Sequence, residues 1–100
     1  MLDLFEKRFA VFLDLRRVAS EAIQLGEIRN PGQMNEIIAR GRFLFGDDLY
    51  KSLVEMHTLT AKLEVREPRA AIEIKNHFDQ MLPLFVPYLR MPQKMPTLWT

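Results

Sequence analysis

The stretch from Ala39 to Tyr50, ARGRFLFGDDLY, constrains the fold more than any other. An apolar block, Phe43-Leu44-Phe45, runs directly into Gly46 and then into Asp47-Asp48. Glycine adopts the left-handed backbone conformation that ends many helices, and an aspartate just beyond it accepts N–H groups that the next helix start leaves unpaired. The stretch is therefore expected to be a buried corner between two helices, with Asp47 and Asp48 capping the second.

Apolar residues at helical spacing supply the elements that pack on this corner. Over Leu4 to Leu25, Phe5, Phe9, Phe12, Ala19 and Ile23 form one stripe, and Leu4, Val11, Leu15, Val18 and Ala22 form the next. One helix there has an apolar face broad enough for two neighbours, or for one neighbour and a second copy of the chain. Gly26 is a stop signal and Asn30-Pro31-Gly32 is turn chemistry. A second helix is expected over Gln33 to Phe45, with Glu36 and Arg40 paired on its surface. Gly41 inside it costs about 1 kcal/mol relative to alanine, so another helix is expected to cross closely there.

A third helix is expected over Asp48 to Glu64, and a fourth from near Pro68, with Ala71, Ile74, Phe78, Met81 and Phe85 on one face. Pro83 and Pro87 should kink or break it near Leu82 and leave a short piece continuing to Leu89. Residues 90–100 hold two more prolines and no acidic residue, which predicts an extended tail. The expected fold class is all-α: a small antiparallel bundle of about four helices over residues 1–89, the last broken by prolines, followed by the tail.

Charge and composition narrow the function. The 14 basic and 13 acidic residues alternate along the chain, and Arg16, Arg17, Arg40 and Arg42 all have acidic neighbours, so no basic face for nucleic acid is indicated. The absence of cysteine removes disulfides, thiol catalysis and Cys-type zinc sites. Asp3, Glu6, Lys7 and Arg8 interrupt any signal-peptide core, and no apolar run reaches the roughly 18 residues of a membrane span, so a cytoplasmic location is expected.

Catalytic groups are sparse. A metal-dependent enzyme would draw on Glu55, His57, Glu73, His77 and Asp79. Di-iron bundles, however, use a Glu-x-x-His spacing, and here Val54 and Ile74 stand three residues before the two histidines. A solvated Glu73–His77 pair is the expected arrangement. Arg40 and Arg42 are expected on a solvated face, paired with Glu36 and the aspartates beyond the corner. The serines and threonines lie in no nucleophile elbow and the glycines in no phosphate loop, so no catalytic residue, metal ligand or cofactor is assigned. Met56, Phe78, Met81, Phe85 and Tyr88 are the residues that could line an apolar pocket between helices.

Three segments, LFEKRFAVF, ARGRFLFGDDLY and FDQMLPLFVPYL, together resemble a family of small bacterial or phage-related helical proteins with a phenylalanine-rich first helix and a central Phe-Leu-Phe-Gly corner. The resemblance implies an all-helical bacterial accessory protein and carries no activity to any residue. The functional expectation is a non-enzymatic protein–protein interaction module that forms a homodimer through its first helix, with Phe5, Phe9, Phe12 and Trp99 as contacts. Trp99 either folds back over that helix or meets another subunit. A bundle binding an apolar ligand in its Met/Phe-lined interior is the alternative.

Overall fold

The computed structural model describes residues 3–90. Four α-helices follow in order, α1 (Leu4–Leu25), α2 (Gln33–Leu44), α3 (Asp47–Glu64) and α4 (Ala70–Phe85), ending in a 3₁₀ turn at Val86–Tyr88. α1 packs on α2 and α4, and α3 packs on the same two, so the helices close a ring around one core. Contacts run in opposite senses along neighbours: Arg8 meets Leu44 where Asp14 meets Arg40, and Phe45 meets Phe85 where Ser52 meets His77. The fold is a small all-α bundle.

The core follows from spacing. Val11, Leu15, Val18 and Ala22 alternate steps of four and three, as do Leu49, Leu53, Met56, Thr60 and Leu63, and all nine are buried. That repeat keeps one side of a helix facing its neighbours over its whole length. Met34 and Ile37 of α2 and Ile74, Met81 and Phe85 of α4 fill the space between. Asp3 caps α1 by accepting the Glu6 N–H (2.7 Å), and Gly26 ends it in the left-handed region at φ 69°. The Glu21 carboxylate accepts the Arg29 N–H (3.2 Å) and fastens the following connection.

The corner forms differently from the expectation. Gly46 is extended (φ −74°, ψ 174°), α2 ends at Leu44, and Asp47 and Asp48 lie inside the first turn of α3 with no side-chain capping bond. They act on α3 through its dipole, which favours acidic groups in a first turn by about 0.3–1 kcal/mol. Gly46 leaves room for a bond across the bundle: its N–H donates to the Tyr88 hydroxyl at 2.9 Å, the same distance at which a Cβ would meet that oxygen and push it aside. Phe43, expected in the buried corner, is 84% exposed, whereas Phe45 is buried. Phe43 and Leu44 point about 100° apart on the last turn of α2, and Phe45 has left the helix (φ −132°, ψ 163°), so the block does not face one way.

The close crossing at Gly41 is present. A Cβ there would lie 2.5 Å from Cδ1 of the fully buried Leu53 of α3. Of the expected kink or break near Leu82, an outright break is not what forms: α4 continues through Pro83 to Phe85 and then gives way, at Pro87, to the short 3₁₀ piece. Pro83 is exposed, so water can serve the carbonyl that its missing N–H leaves free. At the other end of the bundle α3 closes in a Schellman turn, with Glu67 N–H to Lys62 C=O (3.1 Å) and Arg66 N–H to Leu63 C=O (2.9 Å). The left-handed position is held by Arg66 at φ 61°, where glycine is the usual occupant.

Two substitutions test these backbone positions. Gly41→Val should overpack the crossing and cost about 2 kcal/mol, read as a fall in Tm of roughly 8–16 °C. Arg66→Gly should relieve the left-handed strain and raise Tm by roughly 2–8 °C, for a gain of about 0.5–1 kcal/mol.

Candidate interaction surface

The first three turns of α1 are apolar well beyond the part that faces the core. Val11 points inward and is fully buried, while Phe9 and Leu13, on the opposite side, are each 38% exposed. Phe5, Glu6, Phe9, Ala10 and Leu13 line an open groove of about 380 Å³. Ala10 also borders a second groove of about 360 Å³, lined by Lys7, Arg40, Phe43 and Leu44, so the apolar surface runs from the outer side of α1 across to the end of α2. Globular domains rarely expose a large apolar patch of this kind without a use for it.

The surface is held rigidly from below by a chain of aromatic rings. Phe5 lies 5.9 Å from Phe9, and Phe9 6.3 Å from Phe12. Phe12 stacks on Phe78 (6.2 Å) and stands edge-on to Phe85 (5.1 Å). From Phe85 the series continues edge-on to Phe45 (5.4 Å) and on to Tyr88 (5.1 Å). Edge-to-face contacts at these separations are the favoured arrangement of ring quadrupoles. Arg8 closes the series, its guanidinium 4.9 Å from the Tyr88 ring centroid and its Nε–H donating to the Leu44 carbonyl at 2.8 Å.

The expected interface residues thus separate. Phe9 belongs to the exposed surface and Phe5 borders it, but Phe12 is packed between α1 and α4 as part of the core wall. Trp99 and residues 91–100 lie outside the described residues. Leu13 and Phe43, not among the expected contacts, are the exposed apolar groups that complete the patch. Leu13 was open to detection, since it stands four residues from Phe9 on a stripe of its own.

The expected pocket residues do converge, but as packing partners. Met56, Met81 and Phe85 are buried in the core, with Phe78 and Tyr88 half-buried against it. Tyr88 also borders an open cleft of about 380 Å³ beside Gly46, Pro83 and Pro87. The candidate metal ligands do not converge: among the described residues no three His, Asp or Glu side chains gather around one point.

His77 is not paired with Glu73 in solvent. Its side chain is 13% exposed, its Nε2–H donates to the Ser52 carbonyl (2.9 Å), and its Nδ1 lies 3.7 Å from Glu55, which ties α4 to α3. Arg40 likewise reaches across to α1, where Asp14 accepts from it at 2.6 Å and from Arg17 at 3.1 Å. Its contact with Glu36 is to the backbone carbonyl only (3.4 Å). Both cross-helix pairs win because a helix surface offers partners on its neighbour as near as those on its own next turn.

No helix among the described residues is long and apolar enough to cross a membrane. No protein-family model matches the chain, and no curated protein or solved structure is significantly similar to it.

Neighbouring phenylalanines should respond differently to truncation. Phe12→Ala is expected to cost about 2–4 kcal/mol in urea denaturation, because it opens a cavity between α1 and α4. Phe9→Ala should cost less than about 1 kcal/mol, as surface changes do.

Proposed function

We propose that this chain is a non-enzymatic protein–protein interaction module that self-associates as a homodimer through the outward face of α1. The observation that carries the reading is the side of α1 opposite Val11, where Phe9 and Leu13 stand exposed over a groove shared with Phe5 and Ala10. A helix whose inner side already fills a core, yet whose outer side is also apolar, has a second neighbour to meet. A second copy of the chain is the commonest partner for such a face. An accessory role in a bacterial cytoplasm is the setting proposed for it.

Light scattering on a sizing column over a range of protein concentrations tests this directly. The parent chain should approach twice the monomer mass as concentration rises. The Phe9→Glu/Leu13→Glu variant should stay monomeric with an unchanged helical circular dichroism spectrum, its dissociation constant raised at least about 100-fold. A parent that remains monomeric at every concentration, or a variant that dimerises like the parent, overturns the reading.

A further inference from the structure

The outward side of α1 carries a pattern of its own. Glu6, Phe9, Leu13, Arg16 and Ser20 alternate steps of three and four, the repeat of a helix seam, on the side away from the buried Val11, Leu15, Val18 and Ala22. All five are exposed. The part of the seam from Glu6 to Arg16 is about 15 Å long at 1.5 Å per residue. Its order has a hidden symmetry: Phe9 and Leu13 stand equally far on either side of Val11, and so do Glu6 and Arg16.

Resting on the self-association proposed above, we infer that the partner is a second copy whose α1 lies antiparallel on the first, with a two-fold axis level with Val11. An antiparallel seam pairs each position with the one equidistant on the other side of the axis. Phe9 of one copy then packs beside Leu13 of the other, and Glu6 of each lies beside Arg16 of the other. A two-fold axis makes each contact twice, as an isologous interface requires. A parallel pairing would instead set Glu6 against Glu6 and Arg16 against Arg16, two like-charge contacts in place of two opposite ones. Charge therefore selects the direction, which is how polar groups at a helix seam usually act.

The two charges are free for this use. Neither Glu6 nor Arg16 has an ionic partner among the described residues, whereas Asp14 on the neighbouring side already holds Arg17 and Arg40. Ala10, beside the seam, adds no bulk to keep the helices from the ordinary separation of 8–10 Å at a crossing near +20°. A seam of about three turns lies at the small end of interface sizes, below about 1,200 Å² in total, so the dimer is reversible.

Charge reversal tests the direction. Sedimentation equilibrium is run on the parent, on Glu6→Arg, on Arg16→Glu, on the double variant, and on an equimolar mixture of the two single variants. Asp3 caps α1 through the backbone N–H of Glu6, which Glu6→Arg retains, and helical circular dichroism verifies folding. Each single reversal turns two attractive pairs into two repulsive ones and raises the dissociation constant about tenfold. The double variant, and the mixed dimer of the two singles, restore both pairs and return to within about threefold of the parent. Raising salt should narrow these differences.

Dimers whose affinity ignores all four changes, while Phe9→Glu/Leu13→Glu still abolishes them, overturn the antiparallel pairing and leave the self-association standing. A mixture that associates more tightly than the parent, with singles that match the parent, identifies the parallel pairing instead. A parent that never dimerises overturns both proposals.

Discussion

Everything in the bundle depends on a turn of two residues. α2 stops at Leu44 and α3 starts at Asp47, so the chain reverses with almost no backbone to spare and strands polar groups at the turn. Two side chains from the ends of the sequence supply the missing partners: Arg8 takes the Leu44 carbonyl and the Tyr88 hydroxyl takes the Gly46 N–H. A cation at the carbonyl end of α2 also suits that helix's dipole. Arg8 and Tyr88 then meet each other, guanidinium over ring, so the corner holds the start of α1 and the end of α4 together. The aromatic series from Phe45 through Phe85 to Phe12 packs beneath it.

With α1 clamped in this way its rotation is set, and its two sides acquire separate roles. Val11, Leu15, Val18 and Ala22 are committed to the core, which forces Phe9 and Leu13 outward. The exposed rings are not loose, since Phe9 rests on Phe5 and Phe12, and Phe12 is locked between Phe78 and Phe85. A rigid apolar face loses little side-chain entropy when it is covered, which favours association over a mobile face of equal area.

The sequence revealed periodicity well and direction poorly. The bounds of α1 and the crossing at Gly41 were legible because a long periodic run and a glycine within a helix each leave few physical alternatives. The role of Gly46 was not legible, since the hydroxyl that its N–H meets comes from Tyr88, 42 positions away. Pro83 misled because the cost of a proline within a helix depends on whether water reaches the freed carbonyl, and exposure is a tertiary property. Phe5, Phe9 and Phe12 look alike on one stripe, yet only the placement of α4 separates the core ring from the surface ring. His77 and Arg40 took partners on neighbouring helices rather than their own for the same reason.

The short connections, residues 26–32, 45–46 and 65–69, make three of the four main helix seams contacts between sequence neighbours. Such local topologies fold quickly, because little chain must be immobilised before a contact is rewarded. One seam is the exception. α1 against α4 joins the two ends of the bundle, so Phe12 closing on Phe78 and Phe85 is the contact with the greatest entropy to overcome and is set to form late. Until it closes, the side of α1 that meets α4 lies open beside the outer apolar stripe, and the step that completes the monomer is also the step that leaves the outer stripe alone to choose a partner.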